Sequence, residues 1–277
     1  MSPLLTVALG TALLGGLAGA LGPFAVLRRQ SLMGDVLSHA ALPGICIGFL
    51  VAQERSLPAL LAGALIAGLL AAGLIQAIQR FTKVKPDAAM GIVLSTFFAL
   101  GVVLLSYIQH AGGAGQAGLS SFLFGQAAAM LSSDVALLSV LALMTLALLA
   151  IFWRDMKLVA FDRDYARALG RPVDAIEALL AAITAVAIVA GLQVVGVVLM
   201  VALLIAPAVA ARQWVDSILP MVLLSAALGA GAGVAGAFLS ASARGLATGP
   251  VIVLVAAGLV LLSLVLSPRR GLLRGRK

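Results

Sequence analysis

Long apolar runs alternate with short polar segments along almost the whole chain. A helix needs about 20 apolar residues to cross the hydrocarbon core of a bilayer, and nine runs approach that length. They cover residues 4–27, 31–53, 57–79, 88–108, 134–153, 174–191, 193–211, 218–239 and 249–267. The pattern predicts an all-α polytopic membrane protein with about nine transmembrane helices, or eight if one run is re-entrant.

Two parts of this pattern leave a choice. Residues 174–211 form one apolar run of nearly forty residues, and we place the turn that divides it near Gly191-Leu192-Gln193. Residues 113–130 are too polar for a span and are interpreted as an outer helix or a re-entrant segment. No segment is long and polar enough for a second domain, so residues 1–277 are predicted to form a single transmembrane domain.

The composition supports the membrane assignment. Hydrophobic residues make up 63% of the chain, charged residues make up 10%, and the mean hydropathy is +1.19, whereas soluble domains average about 25% charged residues. One cysteine, Cys46, excludes an intrachain disulfide. Small residues allow helices to approach closely in lipid. The candidates for such contacts are Gly63, Gly68, Gly73, Gly229, Gly231 and Gly233.

The distribution of positive charge orients the chain. If the N-terminus is outside and the chain crosses nine times, 16 of the 18 Lys and Arg residues lie on the inner side, and only Arg55 and Arg244 lie outside. Cytoplasmic loops are rich in Lys and Arg, so the C-terminus, with a basic tail at 268–277, is predicted to be cytoplasmic. The net charge of +8 then reflects topology and contact with anionic lipid, and it does not indicate nucleic acid.

Asp35 and His39 are the candidate site residues near the start of the second run. Ionisable groups inside the membrane mark a pathway or a binding site by default, and residues four apart lie on one face of a helix. Carboxylate and imidazole together suit Mn²⁺, Fe²⁺ or Zn²⁺, and a two-fold dimer would double this two-ligand set. The alternative is a hydrogen bond between Asp35 and His39 that joins helices.

The surroundings of the pair add further candidates. With a helix start near Gln30, Asp35 lies about 8 Å and His39 about 14 Å along the span, and Pro43-Gly44 is a natural place for a break. Ser38 is a candidate accessory ligand, although a cap or a local hydrogen bond explains it as well. Cys46, about three turns after Asp35, is either a soft ligand or a small packed thiol.

The loop at 154–173 predicts a short amphipathic helix. Asp162 or Asp164 can cap its start, Gly170 can close it, and Pro172 prevents its continuation. Such a helix lies on the lipid surface or docks into a groove of a partner. The chain has no G-x-x-x-x-G-K-[ST] or H-E-x-x-H motif, and its other histidine, His110, is interpreted as an exposed loop residue. Nothing indicates an ATPase or hydrolase of its own.

Six segments in order along the chain carry a family resemblance: Gly34–Ala40 (G-D-x-L-S-H-A), Lys85–Val93, Ser121–Gly125 (S-[FY]-L-F-G), Phe161–Gly170, Val195–Ala208 (V-G-x-x-L-V-x-A-L-L-I-x-P-A) and Gly249-Pro250. With these segments the sequence resembles the membrane subunit of the metal-ion ABC importers, the permease family for zinc, manganese and iron uptake. Met200 stands where this family commonly has Val, and Ala247 where it commonly has Pro.

The resemblance implies a fold like that of a type II ABC importer permease, without a permanently bound cofactor. It also implies a homodimer in the plasma membrane of a bacterium, two cytoplasmic ATPase subunits and an extracytoplasmic metal-binding receptor. Asp35 and His39 become the pair that contacts the transported metal. Leu42-Pro43-Gly44 favours manganese, with zinc second and iron third. The segment at 161–171 becomes the ATPase-coupling helix, with the residues Phe161, Asp162, Tyr165, Ala166, Leu169 and Gly170.

Three other classes remain as alternatives. A cobalamin or siderophore ABC permease shares the A-x-x-L-G pattern of the coupling loop, but such chains are usually longer and need no Asp–His pair. A secondary transporter would need no ATPase. A membrane scaffold would have no reason to bury Asp35 and His39, and no catalytic motif supports an intramembrane enzyme.

Overall fold

The computed structural model describes residues 2–53, 56–110, 130–242 and 246–268. Within these residues, five side chains are left undescribed, those of Leu57, Gln193, Val194, Val197 and Val198. The described residues form ten helices: α1 Pro3–Leu27, α2 Met33–Ala52, α3 Leu57–Phe81, α4 Pro86–His110, α5 Ser132–Ile151, α6 Trp153–Phe161, α7 Arg163–Ala168, α8 Val173–Trp214, α9 Ile218–Ser242 and α10 Thr248–Leu266.

The number of spanning helices agrees with the sequence pattern. Eight helices in the described parts of the chain are long and apolar enough to cross a membrane, and Leu199–Trp214 is a further, shorter apolar helix. At 1.5 Å per residue its 16 residues extend about 24 Å, less than the hydrocarbon core of about 30 Å. The prediction of eight to nine transmembrane helices is therefore confirmed. The short helix corresponds to the predicted span at 193–211.

The break in the longest apolar run differs from the predicted one. Helix α8 has 42 residues, and its only non-helical backbone is at Gly196, with φ 79° and ψ 172°. The predicted break near Gly191-Leu192-Gln193 lies three residues further along the chain, because those residues continue the helix. Only glycine adopts the observed φ and ψ readily, so Gly196 is able to carry the break.

Helix α2 also differs from expectation. It begins at Met33 and passes through Pro43 to Ala52 without interruption, so the predicted break at Pro43-Gly44 was wrong. The later start places Asp35 about 3 Å and His39 about 9 Å along the helix axis. The expected depths, counted from Gln30, were therefore too large.

The chain groups into two compact units, each built from separate stretches of sequence. The first comprises residues 1–31, 126–171 and 198–277, and the second comprises residues 32–125 and 172–197. In the first unit α1 packs against α5 and α9, and α9 packs against α10. In the second unit α2 packs against α3 and α4. The prediction of a single transmembrane domain stays a prediction.

Close helix contacts in the first unit are made at small residues. A Cβ on Gly15 would collide with the carbonyl of Gly229, and one on Gly229 would collide with the carbonyl of Gly15. Gly233 meets the backbone of Thr11, whose hydroxyl donates a hydrogen bond of 3.1 Å to the Gly233 carbonyl. The prediction of helix contacts at Gly229 and Gly233 is confirmed. A Cβ on Gly231 would meet no atom of the described residues within 4 Å, so that part of the prediction was wrong.

In the second unit, too, a close contact between helices is made at small residues. Gly63 meets the backbone of Gly44, as predicted for Gly63. A Cβ on Gly68 would lie 3.8 Å from the Cβ of Ala185, an ordinary contact, and a Cβ on Gly73 would meet nothing within 4 Å in the described parts of the chain. The prediction for Gly73 was therefore wrong, because small size alone does not say which face of a helix meets a neighbour.

Several predicted features lie outside the described residues. They are Arg55, Arg244, the polar segment at 113–130 except for Met130, the Ser121–Gly125 motif within it, and the basic tail at 268–277 except for Pro268.

Candidate functional site

Asp35 and His39 face each other across one turn of α2. His39 Nε2 lies 3.3 Å from Asp35 Oδ1, and the two side chains are 30% and 34% exposed, respectively. Asp35 is in the first helical turn, where free backbone N–H groups stabilise negative charge. The predicted spacing thus places a carboxylate oxygen and an imidazole nitrogen together on a partly exposed face.

The separation of these two atoms fits a shared cation. Bonds of about 2.1 Å to each ligand place the two donor atoms about 3.0 Å apart at a right angle and about 3.4 Å apart at a tetrahedral angle. The observed 3.3 Å lies within that range, and it is also compatible with a weak hydrogen bond. Within the described residues, no group of three or more His, Cys, Asp or Glu side chains is placed to hold a metal ion.

The imidazole has a second neighbour on α4. The ring centroids of His39 and Phe98 lie 5.0 Å apart at an interplanar angle of 80°, an edge-to-face contact. His39 Nδ1 is buried and has no hydrogen-bond partner in the described parts of the chain. The sequence analysis missed Phe98, because a phenylalanine in an apolar span carries no signal of its own, and only the packing of α4 on α2 brings it to His39.

The two accessory candidates are both buried. Ser38 is 1% exposed, and its hydroxyl has no hydrogen-bond partner among the described residues. Cys46 is fully buried, and its thiol lies 3.8 Å from the carbonyl oxygen of Gly101. Eleven residues separate Cys46 from Asp35, which is about 16 Å along a helix, so the structure does not bring the thiol to the pair.

A short helix forms at the predicted coupling segment. Asp162 is its N-cap, and its carboxylate accepts a hydrogen bond of 2.9 Å from the backbone N–H of Tyr165. Gly170 follows the helix with φ 72° and donates its N–H to the Arg167 carbonyl at 2.9 Å. This left-handed residue ends the helix in the usual way. The predicted cap at Asp162 and the predicted stop at Gly170 agree with the structure.

The segment at 161–171 exposes apolar side chains. Phe161, Tyr165 and Leu169 are each more than half exposed, whereas Ala166 is fully buried. Large apolar side chains that are exposed together outside the spans are typical of a surface that binds a partner. Arg171 anchors the end of the segment through an ion pair of 3.3 Å with Asp155 of α6.

Two remaining polar groups behave as ordinary structural residues. His110 is exposed at the end of α4, and its Nδ1 lies 2.8 Å from the Ser106 carbonyl. Arg80 of α3 forms an ion pair of 3.1 Å with Asp174 at the start of α8. Exposed pairs of this kind contribute about 0–1 kcal/mol to stability.

Helices that are long and apolar enough to span a membrane, one of which carries a partly exposed carboxylate–imidazole pair, are typical of polytopic membrane proteins of the transporter class. Residues 1–267 match the ABC 3 transport family. The chain belongs to this family, which confirms the resemblance seen in the sequence.

Two relatives indicate how closely the chain follows named transport proteins. The manganese transport system membrane protein MntC of Bacillus subtilis strain 168 is 47% identical over 263 residues, which cover 95% of this chain and 60% of that protein. The zinc transport system membrane protein TroC of Treponema pallidum strain Nichols is 46% identical over 267 residues, which cover 96% of this chain and 90% of that protein. The chain thus spans about three fifths of the first relative and nine tenths of the second.

A solved structure supports the fold. PsaBC from Streptococcus pneumoniae in complex with Fab superimposes with a TM-score of 0.84 and 34% identity, over 99% of this chain and 95% of the matched chain. The predicted all-α permease fold is confirmed by this likeness.

Proposed function

We propose that this chain is the membrane-spanning permease subunit of an ABC importer that moves a divalent transition-metal ion into the cytoplasm. The observation that carries the proposal is the separation of 3.3 Å between His39 Nε2 and Asp35 Oδ1 on a partly exposed helix face. Two ligands make an incomplete shell, which suits transport because the ion must bind and then leave again.

Mn²⁺ is the proposed cargo, with Zn²⁺ and Fe²⁺ as alternatives of the same class. A carboxylate and an imidazole without a required thiolate suit Mn²⁺, and the buried Cys46 lies away from the pair. One of the two relatives described above carries manganese in its name and the other carries zinc. Transport assays with the individual ions therefore have to assign the cargo.

The proposed assembly is a homodimer in the bacterial plasma membrane, with the C-terminus in the cytoplasm. Two copies of the Asp35–His39 pair would supply four ligands. Two cytoplasmic ATPase subunits would hydrolyse ATP, since the sequence has no phosphate-binding loop of its own. Their proposed contact is the exposed apolar surface of Phe161, Tyr165 and Leu169.

The proposed cycle begins when an extracytoplasmic metal-binding receptor docks and releases its ion toward the membrane. Asp35 and His39 then bind the ion transiently as a carboxylate and a neutral imidazole. Closure of the ATPases moves the coupling segment at 161–171, and the helices reorient so that the ion leaves toward the cytoplasm.

Metal uptake by cells that express single variants tests the proposal. Asp35→Ala and His39→Ala should each lower uptake of the cargo at least tenfold, which is the scale on which the loss of supporting partners already weakens metal sites. His110→Ala is the matched control, because this exposed histidine lies at the end of α4. Near-normal uptake by Asp35→Ala and His39→Ala, at normal levels of membrane expression, would overturn the proposal.

A further inference from the structure

We propose that Phe98 is a positioning residue for the metal site: its ring holds the imidazole of His39 with Nε2 toward Asp35 and thereby supports zinc binding more than manganese binding. This inference rests on the proposed function, because it assigns a role to a neighbour of the same pair. Phe98 does not itself offer a ligand atom.

The geometry gives the ring this role. The edge-to-face arrangement at 5.0 Å and 80° is a favoured geometry for two aromatic rings. The terminal torsion of histidine is otherwise broad, and the His39 side chain is 30% exposed. Without the Phe98 ring, the imidazole would have room to turn its nitrogens away from Asp35.

The state of the second ring nitrogen of His39, Nδ1, makes the contact with the Phe98 ring important. A histidine that binds a metal usually donates its other ring N–H to a carboxylate, a carbonyl or a water molecule, which fixes the orientation of the ring. His39 Nδ1 is buried without a hydrogen-bond partner among the described residues. The aromatic contact therefore takes the place of the usual hydrogen bond in orienting the imidazole.

Packing of α4 against α2 supports the position of Phe98. One turn further along both helices, a Cβ on Gly101 would lie only 2.7 Å from Leu42 Cγ, so the Leu42 side chain packs directly onto α4 where the glycine leaves room for it. The thiol of Cys46 lies 3.8 Å from the Gly101 carbonyl. These contacts keep α4 at the distance at which the Phe98 ring reaches His39.

Loss of the Phe98 ring should weaken the binding of Zn²⁺ and Mn²⁺ to different extents. Imidazole is a preferred ligand of Zn²⁺, whereas carboxylate, carbonyl and water oxygens suit Mn²⁺. A misoriented His39 leaves the carboxylate of Asp35 in place, so zinc binding should suffer more than manganese binding. A general loss of structure would weaken both ions alike, and the ratio of the two affinities therefore separates a positioning role from a structural one.

The test measures Zn²⁺ and Mn²⁺ binding by the full chain in lipid nanodiscs, by titration calorimetry. Phe98→Leu removes the ring from a position that is 43% exposed, so the helix should still fold. Phe98→Tyr keeps an aromatic ring and should rescue binding. Phe97→Leu is the matched control, because the neighbouring position lies about 100° around the helix.

We expect Phe98→Leu to weaken Zn²⁺ binding about tenfold, the scale found when partners of a metal-bound histidine are removed, and to weaken Mn²⁺ binding less. Phe98→Tyr and Phe97→Leu should bind both ions like the parent chain. Unchanged Zn²⁺ binding in Phe98→Leu, or an equal loss of both ions, would overturn the inference. If His39→Ala also binds both ions normally, the proposed function itself fails.

Discussion

Gly44 and Gly63 bring the backbones of α2 and α3 into direct contact. A Cβ on either glycine would collide with the carbonyl of the other. Gly44 lies five residues after His39 on the same uninterrupted helix, so this crossing holds the helix that carries Asp35 and His39, the proposed metal-binding pair. The consequence is that a single methyl group at the crossing should disturb both stability and the site.

Gly63→Ala tests the importance of this crossing. Overpacking of a tight contact costs about 1–3 kcal/mol, so we expect a clear fall in the apparent melting temperature of the detergent-solubilised protein. Gly73→Ala on the same helix is the control, because a Cβ at that position would meet none of the described neighbours within 4 Å. Equal melting temperatures for the two variants would show that the crossing tolerates a wider separation.

Cys46→Ala should leave the order of preference among the transported metals unchanged. The thiol is buried against the Gly101 carbonyl and lies away from Asp35 and His39, so it serves as packing. The measurement is uptake of Mn²⁺, Zn²⁺ and Fe²⁺ in parallel, with His39→Ala as the variant expected to lose uptake. A selective loss of zinc uptake in Cys46→Ala would instead identify the thiol as a ligand.

Asp162→Ala should uncouple ATP hydrolysis from transport without affecting metal binding. Loss of an N-cap costs about 1 kcal/mol, which corresponds to about a fivefold fall in the population of a marginal helix. We therefore expect slower metal uptake per ATP hydrolysed in the reconstituted complex, and an unchanged metal affinity. Asp162→Asn keeps an oxygen that can accept the N–H of Tyr165, so it should behave like the parent chain. Uptake by Asp162→Ala equal to that of the parent chain would contradict this role.

Gly196→Ala should destabilise the protein by about 1–3 kcal/mol, because the backbone at this position is in a region that is nearly restricted to glycine. The apparent melting temperature gives the measurement. Gly258→Ala in α10 serves as the reference, since a Cβ there would meet nothing within 4 Å among the residues that the structure describes. A melting temperature equal to that of Gly258→Ala would mean that the break can move to another residue.

Local structure could be predicted from the sequence where it depends only on residues that are close together along the chain. The spacing of four residues brings Asp35 and His39 together because the helical repeat does so wherever a helix forms. Asp162 caps α7, and Gly170 ends it, for reasons contained in a few residues. The spans themselves follow from apolar length, which a bilayer fixes independently of the partner helices.

Features that depend on packing between helices could not be predicted from the sequence. Pro43 lacks an N–H and tends to break helices, yet in a membrane bundle neighbouring helices support a helix that contains proline. Gly191 and Gly196 are equally permissive by type, and only one of them carries the break. Phe98 lies 59 positions after His39, and no periodicity in either span relates the two residues.

Two helices that pack together, α1 and α9, lie far apart in the sequence, and this affects how the protein assembles during synthesis. Helix α1 packs against α9 through Gly15 and Gly229, but α9 begins about 190 residues after α1 ends. At a synthesis rate of about 5–20 residues per second, α1 precedes this partner by about 10–40 s. During that interval the small-residue face of α1 has no α9 to pack against. The first compact unit becomes complete only when the last helices are made.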